Sequence, residues 1–223
     1  MNPITPAGQL AEAAAARPVQ FACTYMGREF TYAELFKMSE ECARAFAAIG
    51  VHDDCRVMLH MPLIPQALSC FYGLNMLGAA AVIPVEISPA DCISQTGARA
   101  VVTIEGFYDE LDDIPQLPTT IFARPQDTMG KLKKLEYILT EGRNVEKVTE
   151  GYGLLSWEGF LLGGKALRGE HRCAEQLERT AAIICHAETQ TLSNRAFTFA
   201  ALELPIIAFH QAIINGSCPE LDI

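Results

Sequence analysis

The residues that most suggest chemistry are Cys185 and His186, which adjoin at the end of an apolar stretch. A cysteine beside a base can act as a thiol nucleophile in acyl transfer or hydrolysis. Neighbouring side chains on a strand point to opposite faces of a sheet, however, so two such groups rarely meet. The pattern therefore favours a buried thiol at Cys185, and a thiol-dependent acyl transferase or hydrolase is an alternative hypothesis.

Candidate metal ligands do not form a recognisable pattern. The carboxylates Asp109, Glu110, Asp112 and Asp113 lack the spacing of a calcium loop and favour a solvated loop. The eight cysteines form no CxxC pair, so we predict no zinc site. His60 lies in an apolar strand, where a hydrogen-bonded core histidine is more common than a ligand. The sequence thus predicts no metal site and no catalytic residue.

A glycine-rich stretch over residues 159–164 ends in Lys165, as some phosphate-binding loops do. Its spacing is not that of a P-loop, and no apolar strand precedes it, so we predict a turn. A short helix over residues 156–162 is expected here, with Ser156 as its N-cap, followed by a loop over residues 163–170.

Composition describes a folded domain with an acidic surface. The chain has 223 residues, of which 50% are hydrophobic and 20% are charged, which is enough for one large domain or two small ones with a buried core. Its net charge is -10, whereas nucleic-acid binding needs clustered cations, so we expect no nucleic-acid partner. A basic run at Lys131, Lys133 and Lys134 lies among acids and predicts a solvated helix face.

The N-terminus has no basic segment followed by an apolar one, so we expect no signal peptide, reduced thiols and a cytoplasmic protein. Residues 61–85 carry no charge and are numerous enough to cross a bilayer. Prolines and glycines interrupt this run, which instead predicts a buried helix over residues 65–77 and a strand over residues 80–84. We therefore expect no membrane span.

The elements that would position a site alternate between strand and helix. Thr31 and Glu34 form a capping box at the start of an amphipathic helix, and Gly50 is placed to end it. Strands that are apolar on both faces follow, as at residues 100–104. This alternation predicts an α/β fold with three αβα layers and a mainly parallel sheet, which binds ligands beyond the carboxyl ends of its strands.

The second half of the chain has a weaker pattern. Residues 105–120 are acidic and proline-rich, and residues 140–153 are polar with several glycines, so we predict loops in both places. The other predicted elements are a strand over residues 120–123, a helix over residues 131–139, a strand over residues 180–185 and a largely helical segment over residues 197–214.

Four short pieces occur in the order found in one enzyme family. They are TYAEL at residues 31–35, GVHDDCRV at residues 50–57, GAAAVIPV at residues 78–85 and TGARAVVT at residues 96–103. In this order and spacing the chain resembles the N-terminal part of adenylate-forming enzymes, most of all acyl-CoA synthetases, which include fatty-acid CoA ligases. The resemblance covers residues 10–105 and, more loosely, residues 150–200.

The resemblance implies a fold, an activity and a set of ligands. The 223 residues would form one domain, the first subdomain of the family's large N-terminal domain. Family members join a carboxylic acid to the α-phosphate of ATP, usually with Mg²⁺, and then transfer the acyl group to the thiol of CoA or a carrier arm. We accordingly expect ATP and Mg²⁺ as cofactors and a carboxylic acid and a thiol as partners.

The family's glycine- and hydroxyl-rich phosphate loop corresponds here to residues 186–195. Thr189, Thr191 and Ser193 retain hydroxyl groups, and Arg195 could replace the motif lysine, so these four are the predicted phosphate-binding residues. The motif glycines, which let backbone N–H groups approach phosphates, are absent. Glu188 adds a negative charge that repels phosphate. The resemblance therefore implies a degenerate phosphate loop.

Later elements of the family, including its ribose-binding aspartate and its lid lysine, have no counterpart up to Ile223. We therefore expect this polypeptide to be inactive by itself, and to dock onto the missing ligase domains or to form a homodimer. The alternative is a non-catalytic relative that binds a partner protein or a small acid through the retained scaffold.

Overall fold

The computed structural model describes residues 5–140, 151, 153–167, 179–188 and 191–198. Strands and helices alternate along most of this range. In chain order they are α1 (Pro6–Ala16), β1 (Phe21–Tyr25), β2 (Arg28–Thr31), α2 (Tyr32–Ala48), β3 (Arg56–His60), α3 (Pro65–Leu77), β4 (Ala80–Val85), α4 (Pro89–Thr96), β5 (Ala100–Ile104), α5 (Asp109–Asp112), β6 (Thr119–Ala123), α6 (Lys131–Leu139), β7 (Leu154–Ser156), α7 (Trp157–Ala166), β8 (Thr180–Glu188) and β9 (Thr191–Thr198).

Seven of the strands form one sheet, in the order β7-β6-β5-β3-β4-β8-β9. Every neighbouring pair is parallel except β8 and β9, which are antiparallel. β3 lies between β4 and β5, so the chain reverses its direction of travel across the sheet after β4. The predicted, mainly parallel sheet is confirmed. β1 and β2 form a separate hairpin.

Helices cover both faces of the sheet. α1, α2, α3 and α7 pack against one another, while α4 and α5 contact each other on the opposite face. Successive residues of β3 serve different cores: Val57 and Leu59 belong to the larger one, and Met58 belongs to the smaller one. This alternation follows from the two-residue period of a strand. The predicted three-layer αβα fold is confirmed.

The capping box at the start of α2 is present as predicted. The backbone N–H of Thr31 donates to Glu34 Oε2 at 2.8 Å, and the N–H of Glu34 donates to Thr31 Oγ1 at 3.2 Å. Phe30 and Leu35, on either side of the cap, are fully buried and fix the angle at which the chain enters the helix. The chain turns away from α2 at Gly50, where φ is +84°.

Three predictions about the less regular segments need correction. Residues 105–120 are not simply a loop: they contain a 3₁₀ turn over Glu105–Phe107 and α5, whose Leu111 is fully buried. Residues 163–166 continue α7 instead of forming a turn. Phe197 and Thr198 belong to β9, so the predicted helix does not start there. Residues 199–214, like most of the predicted loop at 140–153, lie outside the described residues.

α7 continues through its glycines because one of them is a contact point between helices. A Cβ at Gly164 would lie 2.5 Å from the backbone nitrogen of Ala45 in α2. Gly73 in α3 plays the same role on the other side of α2, where a Cβ would lie 2.9 Å from the nitrogen of Ala43. Backbones can therefore approach closely on both sides of α2, and no side chain larger than hydrogen fits at either glycine.

We expect Gly164→Ala to lower the free energy of unfolding by about 1–3 kcal/mol, because the added methyl group forces α7 away from α2. Gly163→Ala is the matched control, since a Cβ at Gly163 meets nothing within 4 Å. It should raise the free energy of unfolding by about 0.5–1 kcal/mol through helix propensity alone. Urea denaturation followed by circular dichroism measures both. Equal effects of the two substitutions would contradict the close contact.

Candidate functional site

The carboxyl ends of β3, β4 and β5 lie at one edge of the sheet because these strands are parallel. The connection after β3 leads to α3 on one face, and the connection after β4 leads to α4 on the other. Connections that leave toward opposite faces open a crevice between them, where doubly wound folds bind ligands. We call the edge of the sheet formed by the carboxyl ends of β3, β4 and β5 the carboxyl edge. Glu86, which follows β4, has a φ of +52°, and such backbone strain clusters at functional sites.

The carboxyl end of β8 and the start of β9 lie at this same edge. β8 pairs in parallel with β4, from Ala81 opposite Ala182 to Val85 opposite His186. β8 then continues to Glu188, and two further residues of strand extend about 7 Å. The carboxyl end of β8 therefore extends two residues beyond its pairing with β4.

β9 carries three of the four predicted phosphate-binding residues. Thr191, Ser193 and Arg195 are alternate residues of this strand. The residues that pair with them on β8 are Glu188, His186 and Ile184. Thr189 lies outside the described residues. The structure places the other three on β9, and phosphate binding by all four residues stays a prediction.

The segment 186–195 was expected to be a loop, and this was wrong for most of its length. Strand pairing extends to Glu188 opposite Thr191, so the ladder takes up backbone groups that a loop would leave open. Each pair of residues in the ladder satisfies backbone N–H and C=O groups, which cost free energy when they are buried without a hydrogen bond. Fewer N–H groups thus remain for a phosphate than in the glycine-rich loop that the resemblance implies.

Two contacts distant in sequence hold the start of β8. Asn75, on α3, donates from Nδ2 to the carbonyl oxygen of Ala181 at 3.3 Å. Arg179, just before β8, donates from Nη2 to Asp53 Oδ2 at 3.0 Å. The hydrogen bond from Arg179 holds the pKa of the Asp53 carboxyl below its usual value. These contacts position the strand that leads to the hairpin tip.

The Cys185 thiol is fully buried, as predicted, and hydrogen-bonds with the thiol of Cys92 on α4. Burial raises the pKa of the Cys185 thiol, which keeps it in the unreactive protonated form. This environment argues against the thiol-nucleophile hypothesis. The other cysteines that the structure describes are also free and buried, and they are Cys23, Cys42, Cys55 and Cys70.

His60 ends β3 at the carboxyl edge. Its side chain is 12% exposed, and its ring lies 5.3 Å from that of Phe107. His60 is partly buried and belongs to neither of the two cores, so the prediction of a core histidine is met only in part. Nε2 is buried without a hydrogen bond and lies 3.4 Å from Glu110 Oε2. Burial lowers the pKa of His60, and the Glu110 carboxylate opposes this effect.

A buried amide joins the carboxyl ends of β3 and β6. Gln66, at the start of α3, is fully buried; it donates to the carbonyl oxygen of Arg124 at 2.9 Å and accepts from Thr128 Oγ1 at 2.8 Å. The Arg124 side chain reaches Glu105 Oε1, with its Nη2 at 3.1 Å. These hydrogen bonds hold the carboxyl ends of β3, β5 and β6 together. The guanidinium of Arg124 at this edge is already paired with the carboxylate of Glu105.

Sequence reasoning missed these positioning residues. Gln66 and Asn75 are polar residues inside an otherwise apolar, uncharged run, and that contrast was a usable signal for buried hydrogen-bonding groups. No local signal links Asp53 with Arg179, because the two are 126 residues apart in the chain.

Comparison with known proteins shows the family to which this chain belongs. The profile of the family described as AMP-binding enzyme matches residues 10–154. The chain therefore belongs to the AMP-binding enzyme family, and the resemblance to adenylate-forming enzymes is confirmed.

Curated relatives include two kinds of CoA ligase. Acetyl-coenzyme A synthetase of Methanothrix soehngenii is 24% identical over 143 residues, which are 62% of this chain and 20% of that protein. Crotonobetaine/carnitine–CoA ligase of Salmonella typhimurium is 27% identical over 100 residues, 43% of this chain and 19% of that protein. The chain thus spans about a fifth of the length of these relatives.

Solved structures share the fold. The anthranilate CoA ligase AuaEII, in complex with anthranoyl-AMP, superposes with a TM-score of 0.69 at 16% identity, over 90% of this chain and 36% of that chain. The N-terminal domain of FACL13 from Mycobacterium tuberculosis gives 0.60 at 18% identity, over 87% of this chain and 44% of that chain. These likenesses support the predicted fold of an N-terminal ligase domain.

The part of the chain that the structure describes contains neither a membrane-spanning helix nor a convergent set of metal ligands. None of the helices there is long and apolar enough to cross a membrane. No group of three or more histidine, cysteine, aspartate or glutamate side chains converges there as metal ligands would.

We expect Cys185 to react with a thiol reagent no faster than the protein unfolds, because the folded thiol is buried and protonated. The measurement is the iodoacetamide labelling rate of each cysteine by mass spectrometry, with and without denaturant. Cys55, also buried, is an internal control for exposure on unfolding. Selective, rapid labelling of Cys185 in the native protein would restore the thiol-nucleophile hypothesis.

We expect His60 to titrate below the ordinary histidine pKa of about 6.5, and its folded, neutral form to lose stability as the pH falls below that value. The sign follows because the unfolded state then binds more protons than the folded state. Glu110→Gln should lower the pKa of His60 further, since it removes the carboxylate that favours the charged ring. NMR titration of the imidazole measures this, with Glu86→Gln as the control. A pKa above 6.5 in the native protein would contradict the assignment.

Proposed function

We propose that this chain is the N-terminal portion of an acyl-CoA synthetase-like ligase. In the reaction, a carboxylate oxygen bonds to the α-phosphorus of ATP and pyrophosphate leaves, which gives an acyl-adenylate. A thiol of CoA or a carrier arm then takes the acyl group and releases AMP. One observation carries the proposal. In a chain of the AMP-binding enzyme family, the paired ends of β8 and β9 lie at the carboxyl edge of the sheet.

The hairpin residues fit a nucleotide only in part. The hydroxyls of Thr189, Thr191 and Ser193 can donate to phosphate oxygens, and Arg195 supplies a positive charge. Glu188, opposite Thr191, brings a negative charge to the same turn. We assign no Mg²⁺ ligand, because the described residues hold no converging ligand set. ATP binding through this hairpin is therefore expected to be weak.

Catalysis needs the acid, the nucleotide and a closing lid to be held together. We propose that these 223 residues supply the scaffold and the hairpin, and that the polypeptide alone does not complete the reaction. A cytoplasmic setting and a fatty-acid substrate are parts of the same proposal. The fatty-acid substrate rests on the sequence resemblance to acyl-CoA synthetases.

A non-catalytic binding relative is the second candidate. It is favoured by the extension of strand pairing to Glu188 and Thr191, which leaves little backbone free for phosphates. Such a protein would use the same scaffold to hold a small acid or a partner protein. Calorimetry separates the two candidates: a carboxylic acid or partner that binds while ATP does not would favour the non-catalytic relative.

We expect the chain by itself to show no acid-dependent exchange of pyrophosphate into ATP. Fused to the remaining C-terminal part of crotonobetaine/carnitine–CoA ligase, it should show exchange that depends on a carboxylic acid. In that fusion Glu188→Gln should strengthen ATP binding roughly fivefold, since like charges at ~4 Å repel by about 1 kcal/mol in water.

Glu29→Gln is the matched control, because Glu29 is exposed on β2, which belongs to the separate sheet of β1 and β2 and not to the sheet that contains β8 and β9. It should leave ATP affinity unchanged. A folded fusion that binds no ATP with either Glu or Gln at position 188 would overturn the proposed nucleotide site. Clear exchange by the isolated chain would overturn the proposed inactivity.

A further inference from the structure

A short segment between β5 and β6 contacts the carboxyl end of β3. It runs over residues 105–113 and contains the 3₁₀ turn and α5, and we call it the cap segment. Its Phe107 ring lies 5.3 Å from the ring of His60, and Glu110 Oε2 lies 3.4 Å from His60 Nε2. The His60 side chain is 12% exposed. The cap segment therefore contributes directly to the burial of the last residue of β3.

The cap segment has few attachments to the rest of the molecule. Leu111 is the only buried residue among residues 105–113. Backbone hydrogen bonds from Tyr108 to Glu105 and from Leu111 to Tyr108 stay within the segment. Its other contacts are the edge-on packing of Tyr108 on Phe122 and the ion pair of Glu105 with Arg124. Regions with so few buried contacts open locally at low free energy, without unfolding of the sheet.

A proton on His60 is costly while the cap segment is in place. Nε2 is buried without a hydrogen bond, so a charged ring there loses its hydration and gains no bonded partner. Glu110 attracts the charge, but its side chain is 54% exposed, and exposed pairs contribute little. Burial accordingly lowers the pKa of His60 more than Glu110 raises it. Opening of the cap segment would return the ring to water and to the ordinary histidine pKa of about 6.5.

Other groups near His60 do not change this balance. Thr103, which pairs with His60 across β3 and β5, carries no charge. Among the described residues, Glu110 is the charged group that shifts the pKa of His60. The other carboxylates on the neighbouring segments are Glu86, Asp91, Glu105, Asp109, Asp112 and Asp113, of which Glu105 is paired with Arg124.

We propose that the cap segment is an acid-sensitive flap at the carboxyl edge, which opens when His60 takes up a proton. Protonation favours the open form because the exposed ring binds a proton more tightly than the buried one. The closed form is therefore favoured above a pH of about 6.5, and this advantage is lost as the pH falls below that value. Opening exposes the end of β3 and with it one side of the crevice. This proposal does not depend on the ligase function.

Hydrogen exchange of the full chain, followed by mass spectrometry, tests the proposal. The protection factors of residues 107–113 at about pH 7.5 and about pH 5.5 are compared after correction for the intrinsic exchange rate. We expect them to fall roughly three- to tenfold at the lower pH, because an exposed imidazole is then about tenfold more charged than neutral. The peptide that covers α7 is the internal control. Its protection should stay constant, which distinguishes local opening from global unfolding.

Substitutions assign the effect to His60. His60→Phe keeps an aromatic ring beside Phe107, and His60→Gln keeps a polar side chain. Neither variant titrates at this position, so both should lose the pH-dependent fall in protection. His52→Gln is the matched control, because His52 is 64% exposed in the turn before β3, and it should keep the fall. Circular dichroism verifies that each variant is folded.

Glu110→Gln gives a second, independent measurement. It removes the carboxylate that favours the charged ring, so the fall in protection should be larger than in the wild-type chain. A wild-type protection that does not change with pH would overturn the proposal. So would a fall that persists in both His60 variants, a fall that His52→Gln abolishes, or one that Glu110→Gln reduces.

Discussion

The parallel pairing of β8 with β4 is the constraint on which the candidate site depends. β8 follows β4 only after more than ninety intervening residues, yet it lies directly beside it in the sheet. Parallel pairing makes both strands end at the same edge, so the carboxyl end of β8 lies beside that of β4. An antiparallel β8 would place its end at the opposite edge, and no site could form between the two.

Several polar contacts hold this arrangement together. Asn75 connects α3 to β8, Arg179 connects the start of β8 to Asp53, and Gln66 connects α3 to the segment after β6. Each lies where apolar packing alone would allow neighbouring elements to slide. Buried amides need specific partners, so they define one relative position where hydrophobic side chains would accept several.

The carboxyl edge shows that a chain can keep the fold of its family while the residues that bind phosphate differ from the family's motif. The sheet order, the helices on both faces and the position of the hairpin agree with an adenylate-forming scaffold. The residues of the hairpin agree less well, because Glu188 and the missing glycines change its charge and its backbone access. Packing of a layered fold does not depend on the glycines of a phosphate loop, whereas phosphate binding does. The scaffold can therefore persist where its chemistry has weakened.

Local chemistry was sufficient to predict the first hundred residues. The capping box at Thr31 and Glu34, the helix Pro65–Leu77 and the strand Ala100–Ile104 depend on interactions between residues close in the chain, and all three are confirmed. Only the tertiary structure decided the course of α7 through Gly164, the strand pairing at residues 186–195 and the contact between Asp53 and Arg179. Each of these depends on groups from distant parts of the chain that meet only when the layers assemble, and local pattern carries no information about such meetings.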